Sequence, residues 1–369
     1  TPEVKEYLKR VNTTYHPYDG VTAFLQQAPQ NEHSFLYAFN INYAFAELIS
    51  EACIGHWTPE QDISPITSWR AHKNEAEIAG FRRAMQHDGV AMVRFRRELD
   101  EKVADGSINQ ETEWSIAERL EEIRAEHPEY RGLSFATIAG YAGNGAIVHY
   151  EATAENHAQL ADKSFLLLDS GAHYVSGTTD ITRTIPLGVL SDEEKKAYTL
   201  VLKGMIQLSM AHFPAGTTGL ALDFAARQSM WREGYDFGHG TGHGVGAHLC
   251  VHEGPHQIRK NVRNCTLVGF RPGMTITNEP GLYVSGKFGV RIENTLLVVD
   301  DGETPFGHFC RFETLTLCPI DLRPIVREML TPEEICWLNN YHAEVRRRLL
   351  PLLSDSAHRT WLEVATREF

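Results

Sequence analysis

Two segments of this chain are written to one plan, and together they narrow the folds open to it. Asp169-Ser-Gly-Ala-His-Tyr-Val-Ser-Gly177 is answered by Glu279-Pro-Gly-Leu-Tyr-Val-Ser-Gly286. Each starts with a carboxylate at the end of an apolar run and passes a glycine and a Tyr-Val-Ser-Gly turn. Each then returns to a second carboxylate, Asp180 in Asp180-Ile-Thr-Arg183 and Glu293 in Arg291-Ile-Glu293. Strands joined by a turn lie about 5 Å apart, so Asp169 can face Asp180, and Glu279 can face Glu293, across one ladder. Two such hairpins form a two-fold pattern. Turns of this composition recur by chance, but chance does not supply matched carboxylates.

Four clustered carboxylates repel one another unless cations neutralise them. Taken singly, each acid is better read as capping a turn or pairing with Arg183 or Arg291. Taken with the run Gly238 to Pro255, a site becomes the better reading. That run holds His239, His243, His248 and His252 among closely spaced glycines, which let backbone approach and imidazoles converge. His239 and His243 stand four apart, but Gly240 occupies the place of the glutamate in an H-E-x-x-H zinc motif, which disfavours a one-zinc protease. Four carboxylates with one imidazole suit two divalent cations, and the oxygen-rich set favours Mn²⁺, with Co²⁺ or Zn²⁺ as alternatives. Two such ions would acidify a shared water and polarise a carbonyl, while the remaining histidines hold substrate and shuttle a proton.

The rest of the chain predicts helices alternating with strands. Asn74 caps, with Glu77 at N3, a long helix whose apolar positions are Ile78, Phe81, Met85, Met92, Phe95 and Leu99. Further helices are expected over about 112–127, from Ser191 to Ala211, over about 220–233, and from Thr331. Strands are expected over 164–168, 182–187, 275–278, 289–299 and 313–319. The balance is α+β, antiparallel sheet flanked by helices. Residues 1–68 read differently: a helix bearing Val4, Tyr7, Leu8 and Val11, a turn at 18–20, a helix over 21–27, a strand over 34–39, a helical run over 43–50 and a connector over 58–68. This is too little for an independent core and resembles part of an α/β domain. The expected division is therefore 1–68 and 69–369.

The net charge of −13 argues against nucleic-acid or anionic-membrane partners. No apolar run is long enough to span a membrane. Six cysteines, Cys53, Cys250, Cys265, Cys310, Cys318 and Cys336, show no C-x-x-C spacing and read as reduced thiols.

Several segments resemble the metallopeptidase family of aminopeptidase P, prolidase and methionine aminopeptidase, whose catalytic domain has the pita-bread fold. They are NGAIVHY (144–150), LDSGAHYVSGTTDITRT (168–184), GHGTGHGVGAHLCVHEGP (238–255), TNEPGLY (277–283), GVRIEN (289–294) and FETLTLCPI (312–320). The similarity covers most of residues 70–369 and is nearest to the cytosolic aminopeptidase P branch. It implies that Asp169, Asp180, His243, Glu279 and Glu293 bind two metals, with Asp180 and Glu293 bridging. It also gives His149, His239 and His252 substrate-binding and proton-shuttling roles and places Arg291 behind the ligands. Glu313 is the competing carboxylate, read as structural or supporting; His173, His248 and His256 are read as surface residues. The implied reaction is hydrolysis of the N-terminal Xaa-Pro bond of peptides through a metal-bridging hydroxide, by a cytoplasmic homodimer. Alternatives are a prolidase, which takes only the dipeptide, and a non-catalytic binding module. In such relatives two α/β domains precede the catalytic one. Residues 1–68 then correspond to the end of the second, and a fragment or truncation is expected.

Overall fold

The computed structural model describes residues 1–27, 42–44, 46, 47, 63 and 65–369. The strand expected over 34–39, and most of the 43–50 helix and the connector, lie outside the described residues. The chain divides into two compact units, Thr1–Ser68 and Trp69–Phe369. In the first, helix Pro2–Arg10 is capped by Thr1, and a 3₁₀ turn Tyr18–Gly20 leads into helix Val21–Gln27. No residue of Pro2–Arg10 is buried.

The second unit opens on helix Glu75–Asp105. Asn74 and Glu77 form a reciprocal capping box at its start, and Gly106, at φ 81°, stops it. The periodic residues Phe81, Met85, Met92, Phe95 and Leu99 are all buried. Behind the cluster of acids, Val201, Met205 and Ile206 of helix Asp192–Ser209 pack in one core with Phe165, Leu282 and Val290. Helices Glu113–Ala125, Gly219–Trp231, Pro332–Leu349 and Ser356–Ala365 also belong to this unit, and the last of these, capped by Asp355, is absent from the sequence expectations.

The sheets are antiparallel. One orders Ile138–Tyr141, Phe165–Ser170 and Ile181–Pro186, with the middle strand buried throughout; another orders Thr275–Asn278, Asn294–Thr304, Gly307–Thr314 and His212–Pro214. The single strand expected over 289–299 is broken, because pairing stops between Arg291 and Asn294. The strand expected over 313–319 is displaced to Gly307–Thr314.

That break recurs in both hairpins and places the acids. In one, the ladder runs from Phe165↔Pro186 to Ser170↔Ile181, lapses, and resumes at His173↔Thr178. In the other it reaches Asn278↔Asn294, lapses, and resumes at Gly281↔Arg291. Asp180, Glu279 and Glu293 lie in these lapses. Backbone crowding enforces the first: a Cβ on Gly171 would stand 2.0 Å from the Thr179 carbonyl oxygen. Pro280, which has no N–H to give a ladder, stands in the second. The register corrects one sequence expectation. Asp169 faces Thr182, so Asp169 and Asp180 are diagonal neighbours, whereas Glu279 and Glu293 continue the register as an opposed pair.

Candidate metal centre

The two hairpins meet at Thr182 and Glu293. Glu293 N–H donates to Thr182 O at 3.1 Å, and Thr182 Oγ1 donates to Glu293 Oε2 at 2.7 Å. Buried Arg183 fixes the crossing by donating to Glu293 O at 2.6 Å and Cys318 O at 2.9 Å. It does not pair with Asp169 or Asp180. Arg291 does take Asp169, donating twice to Oδ2, at 3.1 and 2.7 Å.

The glycine-rich run reaches the acids by threading close to the strand before Glu279. A Cβ on Gly242 would lie 1.8 Å from Thr277 O, so only glycine permits that approach. Glu279 N–H donates to Thr241 O at 2.9 Å, and His243 N–H donates to Thr277 Oγ1 at 3.0 Å. Arg227, fully buried on helix Gly219–Trp231, holds the start of this run through Phe237 O at 2.7 Å and His239 O at 3.0 Å.

His243 thereby brings Nε2 to 3.5 Å from both Asp180 Oδ2 and Glu279 Oε1. Asp180, His243 and Glu293 each offer a donor atom, all within 4.8 Å of one another. Burial raises the carboxyl pKa of Asp180, raises Glu279 to about 7, and lifts Glu293 well above its ordinary value, with neighbouring carboxylates adding to the shift. Burial alone would lower His243, but hydrogen bonding to Asp180 and the charge on Glu279 carry it up to about 9. The group therefore calls for positive charge, which protons or metal cations can supply. Asp169 Oδ1 is buried with no hydrogen-bond partner, an open donor on the same wall. This donor set fits divalent cations.

A cavity of about 590 Å³ is lined by Asp169, Asp180, His243, Glu279 and Glu293 together with His149, His239 and His252. All eight sequence candidates thus share one space. His239 is held at both nitrogens: Nδ1 lies 2.7 Å from Gly240 O and Nε2 2.7 Å from the Tyr283 hydroxyl. The carbonyl requires Nδ1 to carry the proton, so Nε2 accepts from Tyr283. Arg291 Nη1 donates to that same hydroxyl at 2.8 Å. Burial drops His239 to about 4 and raises Tyr283 to about 12, so the ring is neutral and the phenol protonated at pH 7. The His252 ring stands 4.3 Å from that of His243, edge to face.

Residues 79–300 match metallopeptidase family M24, and residues 308–369 match the C-terminal region of that family. The chain belongs to metallopeptidase family M24. Its fold is the α+β pita-bread fold. It is similar to the X-prolyl aminopeptidase of Caenorhabditis elegans, described as a cytosolic enzyme with a di-nuclear active site, with TM-score 0.88 and 33% identity over 100% of this chain and 60% of that one. Aminopeptidase P1 of Lotus japonicus is 42% identical over 326 residues, 82% of this chain and 49% of that protein. A probable Xaa-Pro aminopeptidase P of Metarhizium robertsii is 44% identical over 323 residues, 86% of this chain and 52% of that protein. The chain spans about half the length of these two relatives. Prolidase from Pyrococcus furiosus shares the fold, with TM-score 0.60 at 24% identity.

Within this M24 site, sequence reasoning misplaced one histidine and passed over several supports. His256, expected at the surface, is fully buried, with Nε2 2.7 Å from Thr275 O and its ring against Gly244. His173 and His248 line no part of the cavity; they bond Thr178 Oγ1 and Tyr174 O respectively. Glu313 is forked by Arg82 at 2.9 and 2.6 Å and does not line the cavity. Tyr283 and Thr182 went unremarked although both lie inside the repeated hairpins. Arg227 left no sequence signal, since it acts on backbone carbonyls, which no side-chain pattern marks.

Proposed function

We propose that this chain carries the hydrolytic unit of a two-metal Xaa-Pro aminopeptidase, releasing the first residue of peptides with proline second. The observation that carries the reading is one cavity joining the Asp180–His243–Glu293 donor group, Glu279 and Asp169 to three further histidines. Asp169, Asp180, His243, Glu279 and Glu293 would hold the two cations. When bound, such a pair supplies Lewis acidity, acidifying water and polarising a carbonyl. The chain's own residues do the rest. Arg291 orients Asp169 and, through Tyr283, His239, whose neutral ring lines the substrate space. His149 and His252 stand exposed on the cavity wall, where they can accept or return a proton at the departing amine. Partial desolvation by the cavity wall, with the charge on His243 beside it, lowers the pKa of His252, which leaves the ring neutral at pH 7 and able to take a proton.

Mn²⁺ is the proposed metal, since four of the five donors are carboxylates. A cytoplasmic homodimer is the proposed working form. The relative from Caenorhabditis elegans is described as cytosolic, and the five described cysteines are all free thiols. No helix among the described residues is long and apolar enough to cross a membrane. Residues 1–68 are read as the end of an α/β domain that precedes the catalytic one.

The test is mass spectrometry of peptide digests by metal-stripped protein, with and without Mn²⁺. The substrates are an Xaa-Pro-Xaa peptide, an Xaa-Pro dipeptide and a Met-Ala-Xaa peptide. Mn²⁺-dependent loss of one residue from the first alone is expected. Cleavage of the dipeptide alone would make the protein a prolidase. If nothing is cut even when the metal is bound and residues equivalent to the rest of the longer relatives are supplied, the site is a binding module.

A further inference from the structure

Outside the acid cluster, a second buried ionic group stands against the loop that carries His252. Glu253 is 8% exposed and accepts from Lys73 Nζ at 2.6 Å and from Arg70 Nη2 at 2.5 Å. The Lys73 side chain is buried and its ammonium also donates to Arg70 O at 3.0 Å, while the Arg70 side chain is half exposed. Lys73 N–H is anchored in turn on Gly273 O at 2.9 Å. On its other side Glu253 N–H donates to Gly244 O at 2.8 Å. A Cβ on Gly244 would stand 2.1 Å from Glu253 O. The residue after His252 is thus pressed against the residue after His243, and the two rings meet at 4.3 Å.

Two features set this group apart from ordinary scaffolding. Among the described residues, every hydrogen bond made by residues 251–255 runs through Glu253. Glu253 itself does not line the cavity, whereas His252 does. A buried ion pair adds little stability over an apolar pair of the same volume, but its directional bonds hold a segment in one place. The preceding half of the loop is fastened separately, by Gly246 N–H to Cys250 O at 2.9 Å and Thr178 Oγ1 to Leu249 O at 3.3 Å.

We infer that Glu253 is a positioning residue: Lys73 and Arg70 hold its carboxylate, and Glu253 holds His252 in place beside His243 on the cavity wall. The inference rests on the peptidase reading for its kinetic consequence, while its geometric content stands apart from it.

The experiment compares Glu253→Gln, Lys73→Met and the doubly neutral Lys73→Met/Glu253→Gln, each also in a His252→Ala background, using Mn²⁺-loaded protein and the Xaa-Pro-Xaa peptide. The double variant leaves no unpaired buried charge and serves if a single variant does not fold. Displacing His252 by about 1 Å should lower kcat by about 10²-fold, with KM and bound metal close to those of the parent. In the His252→Ala background the same changes should leave kcat within about twofold, since interacting sites are not additive. Equal losses in both backgrounds, or an unchanged kcat in the folded variants, overturn the inference. A second readout needs no catalysis: in metal-free protein the proton NOE between the His243 and His252 rings should be present in the parent and vanish in Glu253→Gln, and its persistence also overturns the inference. If the parent protein cuts no peptide even with residues equivalent to the rest of the longer relatives supplied, the peptidase reading fails and the NOE alone decides the role of Glu253.

Discussion

The two acid-bearing hairpins are built alike but neutralised differently. In the first, Asp169 is already met by a permanent cation, the Arg291 guanidinium contributed by the second hairpin. In the second, Glu279 and Glu293 are opposed and among the described residues receive only a threonine hydroxyl each, from Thr277 at 3.1 Å and Thr182 at 2.7 Å, beside the shared His243. A hydroxyl donates one hydrogen bond and no charge. The second hairpin therefore depends on bound protons, as on His243, or on a cation from outside the chain, while the first is partly satisfied by the permanent charge of Arg291. Repetition of sequence has produced a scaffold with near two-fold symmetry and a charge distribution without it.

The largest expected effect follows from the unsatisfied side. Glu293→Ala should cut metal affinity and peptide hydrolysis by more than about 100-fold, beyond what loss of a supporting residue produces. The same substitution should raise the melting temperature of metal-free protein, because it removes a carboxylate forced to share a buried site with like charges. Metal analysis, peptide assay and calorimetry together check this. A metal-free protein that loses stability on substitution would mean that Glu293 is already satisfied by the chain, and the contrast between the hairpins would collapse.

Arg291→Lys probes the satisfied side. An ammonium cannot fork Asp169 Oδ2 while also reaching the Tyr283 hydroxyl. The expected loss in kcat/KM is about 10–100-fold, the range for residues that orient others at a metal site. Metal content should stay close to that of the parent, since the competing charge is retained. Loss of metal in step with activity would show that Arg291 builds the site and does not merely orient it.

The third effect is a pH dependence confined to metal-free protein. Glu279 is raised to about 7, so the folded state holds a proton that the unfolded chain releases nearer 4.5; His243 is raised to about 9 from 6.5. In both cases the folded state binds protons more tightly. Stability of the metal-free protein should therefore fall as pH rises from about 7 to about 9; below about 6.5 the buried His239, His256 and His342, each lowered to about 4, act in the opposite sense. Metal uptake displaces those protons, so the gap in melting temperature between metal-loaded and metal-free protein should widen over the same range. Thermal scans at half-unit pH steps test the sign. A metal-free stability that rises with pH over that range would place the protons elsewhere.

The comparison also marks what was legible in sequence. The acids could be read because hairpin chemistry is local: a strand end, a turn and a return lie within a few residues. The cap at Asn74 and the periodic face of its helix were legible for the same reason. The diagonal offset of Asp169 and Asp180 was not, because it is set by the register of the ladder, Asp169↔Thr182 before the lapse and His173↔Thr178 after it, which the repeated motif does not specify. Lys73 was invisible because its carboxylate partner lies far away in sequence, Arg227 because it acts on backbone carbonyls, and Arg183 was given the wrong partners because it too bonds distant carbonyls in place of the acids beside it. His256 was read as a surface residue because the resemblance gives it no role, and only the tertiary fold shows it donating to Thr275 O from a fully buried position.

Glu313 gives the smallest effect and the sharpest control. It lies in the strand that pairs with the one following Glu293, and in sequence it competed with Glu293 for a place at the metals. Its register partner is Leu297, which sets it along the sheet from the acid cluster, and both of its oxygens are taken by Arg82. The pair is part-exposed, at 41% for the arginine side chain and 30% for the glutamate, so solvent screens it. Glu313→Gln should cost less than about 1 kcal/mol in stability and leave metal stoichiometry at the parental value. The corresponding Glu293→Gln should empty or weaken the site, although Glu293 immediately precedes the strand that pairs with the strand of Glu313. If Glu313→Gln also lowered metal content, charge would be acting through the sheet as a whole, and the local account of why the second hairpin needs protons or an external cation would have to be abandoned.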